Sequence, residues 1–174
     1  THGLNRPLAL ERDLLRPNAR PRTLFATEAG ITVRDLNEAL WKANLGLENM
    51  GGYDAQTIAG VVSTSTHGSG LAYGPLPSQV VSLTIVAAGG RTLRVEPGGG
   101  ITNPAAWAAH RPDIELIQDD DWFHACLVSL GCMGVIYSVI LRVRPRFFLK
   151  EERTLSTWSR VRRDLEQGQA LRDH

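Results

Sequence analysis

Residues 49–70 of the chain read Asn49-Met-Gly-Gly-Tyr-Asp-Ala-Gln-Thr-Ile-Ala-Gly-Val-Val-Ser-Thr-Ser-Thr-His-Gly-Ser-Gly70. This stretch holds five of the seventeen glycines, together with six serine or threonine residues. Glycine permits backbone dihedrals and approach distances that a Cβ atom forbids. Successive N–H groups beside short hydroxyls can bind the oxygen atoms of a ligand. Because few of its side chains are large, we expect a cofactor-binding loop rather than a hinge or an ordinary core element.

The composition is that of a globular protein. With 174 residues, 43% of them hydrophobic and 21% charged, the chain suits one domain with its own core and the edge of a second. A formal net charge of +1 gives no reason to expect a nucleic acid or an anionic membrane as partner. No apolar run reaches the length of a membrane-spanning helix. Two isolated cysteines, Cys126 and Cys132, favour a reducing compartment, and we expect a cytoplasmic protein.

The segments before the glycine-rich stretch predict a strand followed by a helix. Residues 3–22 contain three prolines and indicate two short strands or extended segments, and residues 23–29 indicate a strand that ends at Gly30. Thr32 is a typical N-cap, and apolar residues then recur at helical spacing up to Gly46, where the helix is expected to end. The apolar positions of this helix are Val33, Leu36, Leu40 and Trp41.

The segments after it predict a hairpin, an irregular region, a helix and a long strand. Residues 79–88 and 91–95 read as two strands joined by a two-residue Gly89-Gly90 turn. Residues 97–121 are interpreted as a surface excursion with a short helix around Trp107. Aspartates 119–121 are expected to cap a helix over residues 122–130. Residues 135–147 alternate as a strand, with positions 136, 138 and 140 on one face, and residues 156–172 read as an amphipathic helix.

Four motifs in this order resemble one flavoprotein superfamily. They are residues 29–36 (AGITVRDL), residues 54–70 (DAQTIAGVVSTSTHGSG), the VAAGGR hairpin and residues 129–136 (SLGCMGVI). The chain is thereby similar to the vanillyl-alcohol oxidase and para-cresol methylhydroxylase superfamily, above all to its sugar-alcohol (alditol) and aldonolactone oxidases. The resemblance covers residues 23–147. It implies an α+β fold, the FAD-binding domain of the para-cresol methylhydroxylase type with two α+β subdomains.

The resemblance also implies FAD as cofactor and a set of residues that contact it. Gly51 and Gly52 would lie by the flavin ring, and Thr57 and Gly60 would meet the ribityl and pyrophosphate region. The backbone of Ile136 would contact the adenosine or ring region. The remaining residues implied to wrap the cofactor are Thr64, Ser65, Thr66, His67, Gly68 and Ser69. The implied chemistry is hydride removal from a CH–OH group of a polyol, lactone or related alcohol, with oxygen or another acceptor reoxidising the flavin.

The start at Thr1 leads us to expect a segment of a longer protein. By the resemblance, residues 1–147 would be a partial FAD-binding domain, with the pyrophosphate loop and any histidine that bonds covalently to the flavin before residue 1. Residues 148–174 would begin the substrate (cap) domain, which would carry the catalytic groups. The excursion at 97–121 is longer than the family minimum, and some relatives carry a serine where this chain has Gly52.

Other interpretations of these residues stay open from the sequence. One alternative is that the fragment is a non-catalytic flavin-domain module, since its flanks would be missing. His67-Gly-Ser-Gly70 also resembles the oxyanion segment of some esterases, although no G-x-S-x-G nucleophile elbow accompanies it. Asp120 and His124 have the i, i+4 spacing of metal ligands, but capping and packing explain them more simply. The alternating arginines 142, 144 and 146 fit a solvated face or a subunit contact, and Cys132 fits a packing role.

Overall fold

The structure of the chain is a computed structural model. It describes residues 3–70, 72–151 and 153–168. The strands are β1 (Pro7–Leu8), β2 (Leu24–Glu28), β3 (Leu45–Gly46), β4 (Val80–Val86), β5 (Thr92–Glu96), β6 (Glu115–Gln118), β7 (Val135–Arg142) and β8 (Arg144–Pro145). The α-helices are α1 (Val33–Lys42), α2 (Ile58–Ser63), α3 (Pro104–His110), α4 (Asp120–Leu127) and α5 (Trp158–Glu166). Among the described residues, none of the helices has the length and hydrophobicity of a transmembrane segment.

Six of the strands form one sheet in the order β1-β2-β7-β4-β5-β6. The pair β5–β6 is parallel, whereas the other neighbours in this sheet are antiparallel. The short strands β3 and β8 form a separate antiparallel pair. This mixed architecture confirms the predicted α+β class.

The main core lies between one face of the sheet and three helices. Its helical members come from α1, α2 and α4, and its strand members include Leu83, Leu93 and Val139. Burial of this apolar surface is the principal stabilising term, at roughly 25 cal/mol for each Å² removed from water. A smaller cluster of Leu15, Leu24, Ala26 and Ile140 lies on the opposite face and leaves much of that face uncovered.

The predicted strand and helix before the glycine-rich stretch are confirmed. The hydroxyl of Thr32 accepts a hydrogen bond from the Asp35 N–H and caps α1 as expected. The prediction that the helix ends at Gly46 is wrong, because Asn44 adopts a left-handed φ of 58° and terminates it earlier. Of the apolar positions at helical spacing, Trp41 is 50% exposed and packs edge-on against Phe148 instead of lying in the core.

The hairpin between β4 and β5 is confirmed, but its turn is longer than two residues. Val86 pairs with Thr92, and the Ala87 N–H then donates to the Arg91 carbonyl. Residues 88–90 form a 3-10 turn in which both glycines have positive φ angles, 74° and 77°. The Gly-Gly signal thus located the hairpin correctly while understating the length of its connection.

The interpretation of residues 97–121 as a surface excursion is wrong. The short helix forms as α3, but β6 then extends the sheet by pairing in parallel with β5. The fully buried Glu96 carboxylate organises the segment, because it accepts hydrogen bonds from the Thr102 N–H, the Thr102 hydroxyl and Gln118. Arg94 donates to the same carboxylate at 2.9 Å. Burial raises the pKa of Glu96, but the Arg94 charge and these hydrogen bonds outweigh that effect and hold the pKa below its usual value.

The long strand predicted at 135–147 is interrupted twice. It ends as β7 at Arg142, and β8 then pairs with β3 outside the main sheet. Within β7 the register shifts between the Thr84–Ser138 and Ile85–Ile136 pairs, so Tyr137 is the extra residue of a β-bulge. The bulge turns Ile136 into the main core, whereas strict alternation had placed it on the face of Ser138.

The two ends of the chain differ in how they pack. Of the two extended segments expected before residue 23, the structure has one, β1, which pairs with β2. The predicted C-terminal helix is present as α5, but it has no buried residue, and residues 169–172 of the prediction lie outside the described part. The assignment of residues 148–174 to a second domain therefore stays a prediction.

Candidate functional site

The middle of the glycine-rich stretch is a short helix. The Thr57 hydroxyl accepts a hydrogen bond from the Gly60 N–H at 3.2 Å and caps the start of α2. Ile58, Val61 and Val62 are buried in the main core and anchor the helix there. The expectation of a loop throughout residues 49–70 is therefore wrong for this part, because three apolar residues at helical spacing suffice to bury one face.

The two ends of the stretch pack against each other. A Cβ atom at Gly68 would collide with the Asn49 side chain and would lie only 2.5 Å from the Met50 carbonyl oxygen. Residues 49–52 are therefore held directly against residues 66–68. Glycine is required at position 68 because any side chain would push these two segments apart.

Gln79, the residue directly before β4, fixes the beginning of the stretch. Its amide is 2% exposed, donates to the Asn49 carbonyl at 2.7 Å and accepts from the Glu48 N–H at 2.9 Å. Because both backbone groups are satisfied by one buried side chain, the segment that leads into Gly51 has a defined position.

A cleft of about 420 Å³ lies beside α2. Four of the predicted site residues line it, namely Thr57, Gly60, Thr64 and Ile136. Other lining residues are Leu4, Gly30, Ala59, Ser63, Leu130, Gly131, Gly134 and Val135. None of these lining residues is charged, so the cleft offers hydroxyls, backbone groups and apolar contacts to a ligand. An extended dinucleotide is larger than this cleft, which would hold only part of it.

The other predicted site residues lie outside the cleft, in or beside the paired ends of the stretch. Ser65 has a left-handed φ of 55°, which turns the chain directly after α2. The Thr66 N–H donates to Val61, and the Thr66 carbonyl accepts from Leu76. His67 Nδ1 lies 2.8 Å from the Gly68 carbonyl, which can only accept, so this nitrogen carries the proton. Gly51, Gly52, Gly68 and Ser69 complete this group, and their role in binding a cofactor stays a prediction.

The turn before β7 contributes cleft residues that we had not predicted individually. Gly134 has a φ of 129°, and a Cβ atom there would lie 2.5 Å from the Val86 carbonyl oxygen. Only glycine permits so close an approach of this turn to the end of β4. The Gly131-Cys-Met-Gly134 pattern was visible in the sequence, but its proximity to α2 depends on long-range strand pairing.

An ion pair holds the N-terminal segment that contributes Leu4 to the cleft. Arg6 donates to both carboxylate oxygens of the buried Glu28, at 3.0 and 3.3 Å. The side-chain hydrogen bonds from Arg6 hold the pKa of Glu28 below its usual value. The pair thereby keeps residues 4–8 beside β2, with Leu4 in the wall of the cleft.

The structure gives little support to the alternative roles of the aspartate–histidine pair, the cysteines and the arginines. The described residues contain no group of three or more possible metal ligands, and Asp120 instead accepts from the Gly98 N–H. Cys126 is buried, and burial raises its pKa, while Cys132 is exposed and the two form no disulfide. The arginines 142, 144 and 146 contact a backbone carbonyl or aromatic rings of this chain.

Comparisons with known proteins agree with the family resemblance that the four sequence motifs indicate. Residues 19–96 match the family model described as "FAD binding domain". The chain is 34% identical over 142 residues to D-arabinono-1,4-lactone oxidase of Yarrowia lipolytica, a match that covers 82% of the chain and 23% of that protein. It is 35% identical over 134 residues to L-gulonolactone oxidase of Mus musculus (77% and 26%). It is 36% identical over 130 residues to L-gulono-1,4-lactone dehydrogenase of Mycobacterium tuberculosis (75% and 25%).

A solved structure shares the fold. An alkyldihydroxyacetonephosphate synthase superposes with a TM-score of 0.57 at 22% identity, over 82% of this chain and 22% of that one. The chain spans about a quarter of the length of the curated relatives that it matches. The comparisons confirm the predicted relationship to lactone oxidases and dehydrogenases, and the family model confirms FAD as the cofactor of the matched segment.

Proposed function

We propose that this chain, whose residues 19–96 are part of an FAD-binding domain, supplies cofactor-binding residues to an oxidoreductase that acts on CH–OH groups of sugar lactones or related alcohols. The observation that carries the proposal is the cleft beside α2. It lies next to the glycine-rich stretch inside the matched segment, and it joins that stretch to the glycine turn before β7. The names of the relatives supply the reaction class, oxidation of a lactone.

The residues of the cleft fit part of FAD by their chemistry. Glycines at 60, 131 and 134 leave the backbone accessible, while the hydroxyls of Thr57 and Thr64 can bond phosphate or ribityl oxygens. The apolar side chains of Ile136 and Val135 suit a flat ring. FAD, when bound, supplies the group that accepts the hydride. The chain itself binds and orients the cofactor, and it holds no group here that we assign to proton transfer.

The paired ends of the stretch would serve as the second part of the binding surface. We propose that Gly51 and Gly52 lie against the flavin ring, and that residues 64–69 follow the cofactor. Support comes from the close packing of Gly68 on Met50, since it joins the two segments into one surface. Gly52 has no heavy atom within 4 Å of the position of a Cβ atom, which leaves room for a ligand.

Further properties of the whole protein are proposed from the relatives and the sequence. The electron acceptor would be oxygen or another oxidant, in line with relatives named oxidases and dehydrogenases. The substrate would be a small molecule bound together with residues outside this chain. A cytoplasmic location is proposed on the basis of two cysteines that form no disulfide.

The visible absorption spectrum of the purified full-length protein, before and after acid precipitation, tests the proposal. We expect a flavin spectrum. Flavin released to the supernatant would indicate dissociable FAD, and flavin retained in the pellet would indicate a covalent bond. A colourless protein that also fails to take up added FAD would refute the proposal and favour a non-catalytic binding module.

A further inference from the structure

A second cavity lies on the sheet face opposite to the cofactor cleft. It encloses about 630 Å³, which is within the usual range for small-molecule sites. Strands β4, β5 and β7 form its floor. The chain itself builds two walls, one from residues 8–15 and one from α3 together with Ile114. It shares no lining residue with the cofactor cleft.

The floor of this cavity carries four hydroxyls that make no hydrogen bond with the part of the chain that the structure describes. They belong to Ser82, Thr84, Thr92 and Ser138. Ser82 is 2% exposed, yet no described group satisfies its hydroxyl, which therefore faces the cavity. No buried side-chain nitrogen or oxygen of the described residues lacks a hydrogen-bond partner, so these unpaired hydroxyls are open to the cavity and can bond a molecule bound there.

A buried guanidinium also faces the cavity. Arg94 is 6% exposed and lines the cavity beside the hydroxyls. Its Nε donates to Glu96, while its terminal NH₂ groups make no hydrogen bond with the described residues and lie 4.0 Å from Glu11 at the nearest. These N–H groups can donate to a ligand oxygen.

The positive charges around the cavity are paired. Arg94 and Arg111 have Glu11, the buried Glu96 and Asp113 as partners, with Arg111 and Glu11 in direct contact at 2.7 Å. The cavity thus offers no unpaired positive charge to attract an anion. It instead offers donors and acceptors in about equal measure, which suits hydroxyl groups.

We propose that this cavity binds a neutral polyhydroxylated molecule, a sugar or a polyol. Ser82 and Thr84 are two residues apart along β4, which separates their side chains by about 7 Å. Thr84 and Ser138 are direct cross-strand neighbours, at about 5 Å. A chain of five or six carbons with a hydroxyl on each spans these distances. The site lies on the sheet face opposite to the cofactor cleft. It would bind its ligand without converting it, and this binding does not depend on the proposed redox function.

The test is saturation-transfer NMR titration of the full-length protein with sorbitol, with gluconate as the charged counterpart of similar size. We expect sorbitol to bind more tightly than gluconate. The S82A/T84V variant should bind sorbitol about tenfold more weakly, since it loses two hydrogen bonds to the ligand. Its thermal stability and flavin content should be unchanged, because neither hydroxyl bonds to the described protein. The matched control S159A removes an exposed hydroxyl on α5 and should bind sorbitol normally.

A labelling experiment asks whether another protein segment fills the cavity. In the T84C variant, N-ethylmaleimide should modify the thiol, and sorbitol should slow the modification. A thiol that does not react in the folded protein would show that the face is covered, and it would overturn the proposal. Absence of sorbitol binding, unchanged affinity in S82A/T84V, or tighter binding of gluconate would also overturn it.

Discussion

Replacing Gly68 with alanine tests whether the two ends of the glycine-rich stretch form one cofactor surface. The new Cβ atom would lie 2.5 Å from the Met50 carbonyl oxygen and would collide with the side chain of Asn49. A carbon–oxygen contact needs about 3.3 Å, so one segment must move by about 0.8 Å. The Gln79 amide holds the residues before Met50, which directs the displacement towards Gly51 and Gly52. Overpacking of this kind typically costs about 1–3 kcal/mol.

The displaced segment should weaken FAD binding. The free G68A variant relieves this strain by moving residues 50–52. FAD binding would require these residues to return to their original position, and the restored strain would lower the affinity. A cost of about 1–3 kcal/mol corresponds to affinity that is about 5- to 150-fold weaker. The assay is a fluorescence titration of the deflavinated G68A variant with FAD, accompanied by thermal unfolding of the free protein.

The matched control is Gly52→Ala. No heavy atom lies within 4 Å of its added Cβ, so the stability of the free protein should change by less than about 0.5 kcal/mol. Any loss of FAD affinity in G52A would then come from contact with the cofactor itself. If G68A binds FAD as tightly as the unaltered protein, the inference that residues 49–52 and 66–68 form one binding surface is wrong.

Three further perturbations follow from the buried polar groups. Q79L removes both hydrogen bonds to the backbone at residues 48–49 and should cost about 1–3 kcal/mol in urea unfolding, with weaker FAD binding. E96Q leaves a buried arginine uncompensated and should cost about 3–5 kcal/mol, whereas E115Q breaks an exposed pair and should cost less than about 1 kcal/mol. Because Arg6 lowers the pKa of Glu28, this pair stabilises the fold above about pH 4 and the stabilisation is lost as the pH falls through the folded-state pKa. The melting temperature should therefore depend less on pH in E28Q than in the unaltered protein between about pH 2 and 5.

Local signals in the sequence predicted the elements whose cause is local. Thr32 caps α1 as its spacing from Asp35 indicated, and the alternation of apolar residues after position 79 located β4 and its hairpin. The end of α1 was missed because Asn44, and not a glycine, takes the left-handed conformation. The helical spacing of three apolar residues in α2 was visible too, but the small residues around it favoured the interpretation as a loop.

Elements that depend on pairing between distant parts of the chain could not be predicted from the sequence. Strand β6 has four residues and no clear alternation, and it forms because β5 offers a parallel edge and Glu96 binds Thr102 and Gln118. The cofactor cleft likewise requires the turn before β7 to lie beside α2, which are separated by about 70 residues in sequence. For this reason the motif at residues 129–136 suggested a contact with the cofactor, while the contribution of Gly131 and Gly134 emerged only from the fold.

The bulge at Tyr137 links the two cavities in one structural feature. Without the extra residue, Ile136 would pair opposite Val86 and would lie on the face of the hydroxyls. With it, Ile136 pairs with Ile85, joins the main core and lines the cofactor cleft, while Tyr137 and Ser138 line the opposite cavity. Bulges redirect side chains at functional sites because a single added residue reverses the alternation of the strand. One irregularity in β7 therefore gives each face of the sheet the side chains that its own cavity requires.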